Sequence, residues 1–225
     1  MLVACWSVKG GAGVSVVAAT LAQRLAAEHG ASLLVDLGGD QPDITGVPAH
    51  HAPGVAEWLS GGEAVPADGL GRLELQLPGA VALLARGRGP LAAGPRTDVL
   101  LAALADAHRP VVIDCGPPLH AVHDGWGGDV EVALAAALAA TRSLLVIRPC
   151  LASLRRALAA PLRPSGLVVV TEAGRALDAG DVAEVLGVPV VAEVAVDPAV
   201  ARVVDAGLLL ARPPRPLQRG LRHAA

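Results

Sequence analysis

Aromatic residues are almost absent from this chain of 225 residues, which has no Phe, no Tyr and three Trp. Proteins that bind single-stranded nucleic acids stack the bases on aromatic side chains, so this shortage nearly excludes a stacking platform of that kind. The formal net charge of -3 also argues against a surface that is basic throughout, although it leaves room for a local basic patch. A nucleic-acid partner is therefore not expected.

Long apolar runs and paired cysteines are also missing. The chain is 53% hydrophobic, but no uninterrupted apolar run reaches the ~18 residues of a membrane-spanning helix. Cys5, Cys115 and Cys150 lack C-x-x-C spacing and lie in or beside expected strands, which predicts buried, reduced thiols. Lys9 follows the first apolar run instead of preceding it, which does not fit a signal peptide. We therefore expect a cytoplasmic protein without a membrane span.

Lysine is the rarest charged residue, since the chain has 17 arginines and only Lys9. It stands in the stretch 7–15, Ser-Val-Lys-Gly-Gly-Ala-Gly-Val-Ser, between an apolar run and an expected helix, 16–28. Three glycines in four positions let backbone N–H groups curl around an anion, and the helix adds the positive end of its dipole. The stretch predicts a phosphate-binding loop in which the Ser15 hydroxyl would ligate Mg²⁺. The alternative is a simple strand-to-helix turn with a chance lysine.

The loop resembles the deviant Walker motif K-G-G-x-G-K-[ST] of the MinD/ParA family of P-loop ATPases. This resemblance implies that Lys9 reaches across a dimer interface to the partner's nucleotide, while a second lysine would hold the phosphates of its own nucleotide. Val14 stands in the place of that second lysine, so the site is degenerate. The implied cofactors are ATP and Mg²⁺. The implied cofactor-binding residues of the loop are Gly10, Gly11, Ala12, Gly13, Val14 and Ser15.

A second matching segment begins at Asp36 and reads Asp-Leu-Gly-Gly-Asp-Gln-Pro-Asp. It resembles the D-x-D switch of the same family, in the form found in the CpaE/TadZ proteins of pilus loci, with Asp36 and Asp43 at matching spacing. Gly38 stands in the place of the second aspartate, which in the family helps to position the attacking water. Either the Gly-Gly pair bends the loop so that Asp40 reaches the phosphate, or Asp40 is a solvated turn acid. Lys9, Asp36 and Asp40 are the candidate catalytic residues.

Two further segments extend the resemblance. The apolar stretch 111–113 leads into Asp114 and resembles the Walker B strand, which implies that Asp114 orients water on Mg²⁺. Asp197 and Pro198 resemble the closing segment that borders the base pocket. Asp197 as a helix N-cap, with Pro198 at the first helical position, also explains them without a ligand. The candidate metal-binding residues are thus Ser15 and Asp114.

The alternation of apolar and helical stretches predicts one α/β domain, residues 1–211. Together with the resemblance, it implies a doubly wound, mostly parallel sheet of about seven or eight strands with helices on both faces. Residues 212–225 carry four arginines around Leu217 and Leu221. We expect this basic tail to be a solvated or partner-facing end, or else a weak membrane-surface helix. His120 and His123 lie in a glycine-rich stretch without a nearby third ligand, so a metal site there is not expected.

These features lead to competing hypotheses about function. The first is a nucleotide-gated homodimer that holds ATP and Mg²⁺ between two copies, hydrolyses ATP weakly or not at all, and positions a partner from pilus, septum or chromosome machinery at the membrane surface or a cell pole. The second is a pseudo-ATPase scaffold that localises a partner without nucleotide, because Val14 and Gly38 have removed phosphate clamping and water positioning. A third hypothesis is a small-molecule ligase related to dethiobiotin synthetase. The sequence contains no substrate-binding constellation that would support it.

Overall fold

The computed structural model describes residues 1–48, 52–62, 66–117 and 127–224, so His120 and His123 lie outside the described residues. The strands in these ranges are β1 (Leu2–Trp6), β2 (Ser32–Asp36), β3 (Glu74–Leu77), β4 (Val81–Leu84), β5 (Val111–Asp114), β6 (Arg142–Ile147), β7 (Gly166–Thr171) and β8 (Val190–Ala195). The helices are α1 (Val14–His29), α2 (Gln41–Thr45), α3 (Val55–Ser60), α4 (Pro95–Ala105), α5 (Gly127–Ala139), α6 (Leu151–Leu158), α7 (Ala179–Leu186), α8 (Pro198–Asp205) and α9 (Arg215–Gly220), with a 3₁₀ helix at Ala67–Leu73.

The strands form one sheet in the order β3-β4-β2-β5-β1-β6-β7-β8. Only the β3–β4 pair is antiparallel, so the predicted doubly wound, mostly parallel sheet is confirmed. β1 lies between β5 and β6, and β2 lies on the far side of β5. The loop after β1 and the aspartates that end β2 and β5 therefore meet at one edge of the sheet, where ligands bind in folds of this type.

Helices cover both faces of the sheet because successive strand residues point to opposite sides. In β1, Val3 and Cys5 join the buried apolar cluster beneath α1, α8 and α9, whereas Leu2, Ala4 and Trp6 join the cluster beneath helices α3 to α7. These side chains are fully or almost fully buried, and removal of each large one from water stabilises the fold by about 1.5–3 kcal/mol. The buried Trp6 indole N–H donates to Ser143 Oγ at 3.0 Å.

The C-terminal segment packs against the sheet, which differs from the predicted solvated or membrane-facing tail. Leu217 and Leu221 are buried, with exposed fractions of 2% and 0%, and α9 contacts β8 and α1. Arg24 also donates to the Arg222 carbonyl oxygen at 3.0 Å. The two leucines are therefore core residues and are not available as membrane anchors. Within the described ranges, no helix is long and apolar enough to span a bilayer.

Three short elements were not predicted from the sequence. α2 lies within the stretch interpreted as a switch, and the 3₁₀ helix Ala67–Leu73 directly precedes β3. The edge strand β3 has only four residues, and its pairing with β4 is antiparallel. A four-residue segment carries too little periodicity to distinguish a strand from a loop, so its pairing partner decides its structure.

Candidate nucleotide site

The loop between β1 and α1 has the backbone of a phosphate cradle. Gly11 and Gly13 adopt left-handed φ angles of 75° and 94°, which glycine reaches without strain. The Ser7 N–H donates to the Gly116 carbonyl oxygen at 3.0 Å, which fixes the start of the loop to the end of β5. A Cβ atom added at Gly10, Gly11 or Gly13 would meet no other atom within 4 Å, so the space around the loop is open.

Two cavities flank this loop. The switch-side cavity, of about 400 Å³, is lined by the loop together with Val14, Ser15, Asp40 and Ile44. The lysine-side cavity, of about 290 Å³, is lined by the loop together with Lys9 and residues that follow β6 and β7. The loop residues Ser7, Gly10, Gly11 and Ala12 line both.

Ser15 and Asp114, the two predicted metal-binding residues, are brought together. Asp114 ends β5, is fully buried, and its Oδ1 accepts a hydrogen bond from the Gly116 N–H at 3.0 Å, while the nearby Ser15 side chain lowers its pKa. Its Oδ2 also accepts a hydrogen bond from Gln41 Nε2 at 2.8 Å. Burial raises the pKa of Asp114, although these hydrogen bonds oppose the rise. A serine hydroxyl beside a carboxylate, at the foot of a phosphate cradle, is a donor set that suits Mg²⁺.

Asp36 ends β2 in register with Asp114 on the neighbouring strand, and it is also fully buried. Its Oδ1 accepts from the Gly39 N–H at 2.6 Å and its Oδ2 accepts from the Gln41 N–H at 3.2 Å. Burial, together with the charge of Asp114, raises the pKa of Asp36 to about 7. Both carboxylate oxygens are thus engaged by the backbone of the segment that follows, and Asp36 fixes the shape of that segment.

Asp40 and Gly38 lie on the open side of this segment. Asp40 is exposed, lines the switch-side cavity and makes no side-chain hydrogen bond to the described residues. A Cβ added at Gly38 would lie 3.4 Å from Gly116 Cα and 3.6 Å from Asp114 Oδ1. A side chain would therefore fit at position 38 and would begin beside Asp114, where the resembled motif has its second aspartate.

Val14 is the first residue of α1 and has only 6% of its surface exposed. It belongs to the same buried apolar cluster as Val17 and Ile44, while its edge lines the switch-side cavity. A lysine at this place would have its ammonium within reach of the loop, as in the common phosphate-loop pattern. Valine offers no charge there, so phosphate binding would depend on backbone N–H groups and on the helix dipole.

Lys9 is exposed and lies on the opposite flank of the loop from Ser15, in the lysine-side cavity. Arg148 and Arg175 line the same cavity, and Arg175 is paired with Glu172 through Nη2 and Oε2 at 2.6 Å. Within the described ranges, Lys9 and Arg148 form no ion pair. The Lys9 side chain is exposed at this cavity, where an anion can approach it from outside.

Cys150 also lines the lysine-side cavity, and the prediction that it is buried was wrong. Cys5 and Cys115 are buried, but Cys150 is partly exposed and caps the N-terminus of α6. Its Sγ lies 3.1 Å from Ser153 Oγ and accepts a hydrogen bond from the Ser153 N–H. These hydrogen bonds, and further the charge of Lys9, lower the pKa of the thiol.

Asp197 and Pro198 follow β8, three strands away from β1, and line neither of these cavities. Asp197 caps α8 by accepting a hydrogen bond from the Ala199 N–H at 2.7 Å. The helix-capping explanation is thus observed directly, and a role beside a base stays a prediction. Conversely, Gln41 was not predicted to belong to the site. Its only sequence signal is its position between Asp36 and Asp43.

Solved structures with the same architecture were found by comparison of folds. A ParA family ATPase from Chlorobium tepidum TLS superposes with a TM-score of 0.71 at 19% identity, covering 98% of this chain and 95% of that one. The septum site-determining protein MinD complexed with Mg-ADP from Pyrococcus horikoshii OT3 gives 0.73 at 19%, covering 97% and 91%. The MinC:MinD cell division protein complex of Aquifex aeolicus gives 0.70 at 15%, covering 99% and 95%.

By contrast, no family model and no curated protein matches the chain by sequence. At identities of 15–19% the structural likeness establishes architecture and not function. The eight-stranded sheet, the order of its strands and the loop between β1 and α1 agree with the resemblance that the sequence motifs carry. The chain therefore has the fold of the MinD/ParA P-loop ATPases.

Proposed function

We propose that this protein is a nucleotide-gated dimeric positioning protein of the MinD/ParA type, closest to the CpaE/TadZ branch, with weak or absent ATP hydrolysis. The observation that carries the proposal is the junction of an open phosphate cradle with Ser15 and the buried Asp114. A buried carboxylate costs free energy unless it is paired or coordinates a metal, because its charged form loses water. The position of Asp114 beside the cradle therefore favours a cation site.

Ser15 and Asp114 would hold Mg²⁺ and its waters, and the backbone of the loop would hold the phosphates of ATP. The metal ion would neutralise phosphate charge when bound. Lys9 would then serve a nucleotide on a facing copy, because its ammonium lies on the flank of the loop away from Ser15. Asp36 and Asp40 are the remaining candidates for organising the switch segment around that nucleotide.

A nucleotide-independent scaffold is the second candidate function, and the burial of Val14 favours it. A valine packed with Val17 and Ile44 stabilises the loop without a ligand, and no ammonium is there to hold the β and γ phosphates. In this case the fold would localise a partner as a constitutive dimer. Direct measurement of ATP binding separates the two functions.

The partner proposed is a protein of the pilus, septum or chromosome-positioning machinery. MinD from Aquifex aeolicus was solved in complex with MinC, so a structure of this fold can present a surface to a protein partner. We propose that the present chain acts in the cytoplasm and is recruited to a membrane surface or a cell pole by such a partner. A search for proteins that co-purify with the chain in the presence of Mg-ATP tests this part.

ATP turnover is expected to be near background. Val14 and Gly38 remove a phosphate clamp and a water-positioning group, and each preorganised group of this kind typically contributes ~3 kcal/mol to transition-state stabilisation. Phosphate release with Mg-ATP should therefore be the same in the wild-type protein and in Asp114→Ala. Steady release that disappears in Asp114→Ala would show that the chain is an ATPase after all.

Lys9→Ala is expected to weaken a homodimer whose interface includes the Lys9 loop and the exposed part of residues 36–43. Charge attraction across such an interface is only partly screened, because the interface excludes water. If nucleotide gates the dimer, Lys9→Ala should weaken dimerisation more with Mg-ATP than without it. If the protein is a scaffold, the effect should be the same in both conditions. Sedimentation of the wild type and Lys9→Ala measures dimerisation, with the exposed Arg72→Ala as a charge-matched control. A wild-type monomer well above micromolar concentration in both conditions refutes the dimer.

A further inference from the structure

Gln41 is a fully buried polar residue that ties three segments of the candidate site together. Its backbone N–H donates to Asp36 at the end of β2. Its side-chain Nε2 donates to the Ser15 carbonyl oxygen at 3.0 Å, in the first turn of α1, and to Asp114 Oδ2 at 2.8 Å, at the end of β5. A single residue of α2 therefore joins the switch segment, the phosphate loop and the metal-site carboxylate.

These contacts fix the orientation of the Gln41 amide. The Ser15 carbonyl oxygen can only accept a hydrogen bond, so the NH₂ side of the amide has to face it, and the same Nε2 then lies 2.8 Å from Asp114 Oδ2. Oε1 must then point elsewhere, and it is buried without a hydrogen-bond partner among the described residues. A buried acceptor without a donor costs about 1–3 kcal/mol. The site is therefore one donor short of a satisfied network.

We propose that Gln41 is a positioning residue for hydrated Mg²⁺, a role that rests on the proposed nucleotide function. Its Nε2 holds Asp114 in place, and its Oε1 accepts a hydrogen bond from a water carried by the metal ion. The oxygen and nitrogen of one amide share a carbon, so Oε1 lies within a few ångströms of Asp114. Mg²⁺ dehydrates reluctantly and keeps several waters, which are donors that can serve this acceptor. Groups that orient metal ligands in this way commonly change metal affinity when removed.

The test compares ATP affinity with Mg²⁺ and with EDTA, by calorimetry, in the wild type, Gln41→Leu and Gln41→Met. The Mg²⁺-dependent gain in affinity is expected to fall about tenfold in both variants, while affinity in EDTA changes less than about twofold. Two apolar replacements of different shape are used so that misfolding of one does not decide the result. Thr45→Val is the matched control, because the Thr45 hydroxyl donates to the Gln41 carbonyl oxygen at 2.6 Å within α2. Its Mg²⁺ gain should be unchanged.

A second readout needs no nucleotide. Millimolar Mg²⁺ alone is expected to raise the melting temperature of the wild type and of Thr45→Val, but not that of Gln41→Leu. An undiminished Mg²⁺ gain in the Gln41 variants, or an equal loss with Mg²⁺ and with EDTA, overturns the role of Gln41 and leaves the proposed function standing. Absence of ATP binding in the wild type overturns the proposed function. If, in addition, Mg²⁺ alone does not raise the melting temperature of the wild type, the proposed role of Gln41 is overturned as well.

Discussion

Val14→Lys is expected to raise the affinity for Mg-ATP by about tenfold to a hundredfold, since hydrogen bonds to charged groups contribute about 1.5–3 kcal/mol. Val14 begins α1, and its edge already lines the switch-side cavity beside Ser15. A longer side chain can therefore leave the apolar cluster and extend along the open loop. The loop glycines face free space, so a new ammonium would meet phosphate oxygens without a change of backbone.

Calorimetric titration of ATP into the wild type and Val14→Lys measures this gain. Val14→Met is the control, because methionine has a similar unbranched length and no charge, so it separates the ammonium from the loss of the β-branched side chain. Removal of valine from the cluster with Val17 and Ile44 should lower the stability of the nucleotide-free variant by about 1 kcal/mol. No gain in affinity, or the same gain in Val14→Met, would contradict the prediction and favour the scaffold function.

The central part of the site could be predicted from the sequence because each of its segments carries its own local signal and the parallel sheet brings the segments to one edge. Three glycines between a strand and a helix have few other uses, and two of them adopt the left-handed φ angles that the loop requires. Asp36 and Asp114 each end a buried strand, and in a parallel sheet such positions meet at one edge. The pairing of Ser15 with Asp114 follows from the position of β1 beside β5.

What could not be predicted depends on contacts between distant segments. Gln41 reads as an ordinary turn residue until α2 packs against the phosphate loop, and Leu217 reads as part of a solvated tail until α9 packs on β8. Gly46 and Gly207 are a further example of residues whose role depends on a contact between distant segments. A Cβ at Gly207 would lie 2.7 Å from Gly46 Cα, so both must be glycine for the end of α2 to rest on the segment after α8. Neither position shows this need in its own sequence neighbourhood.

The buried carboxylates at the centre of the site set a conflict between stability and ligand binding. Asp36 and Asp114 are in register on neighbouring strands, and among the described residues no lysine or arginine is hydrogen-bonded to either side chain. Within this part of the chain, the donors that stabilise their ionised forms are neutral. A bound cation would offset the free-energy cost of burying two ionised carboxylates. Without nucleotide and metal, the protein is destabilised by this cost unless one carboxylate takes up a proton.

The nucleotide-free protein in EDTA is accordingly expected to lose about 2 kcal/mol of stability as the pH rises from about 5 to about 7. Burial raises the pKa of both aspartates, that of Asp36 to about 7, whereas an unfolded aspartate titrates near 3.9. Between these values the folded state holds more protons than the unfolded state, so stability falls as pH increases. The contribution is fully present below the unfolded pKa and is lost as the pH passes through the folded pKa.

Urea unfolding across this pH range measures the effect, with Asp114→Asn as the test variant and the exposed Asp106→Asn as the control. Asp114→Asn removes one buried titrating group and relieves its neighbour of a like charge, so its stability should depend less on pH, while the control should follow the wild type. Mg-ATP should reverse the trend, because a metal ion binds the ionised carboxylate and its affinity therefore rises with pH. Wild-type stability that increases from about pH 5 to about pH 7 would show that other groups outweigh the buried pair.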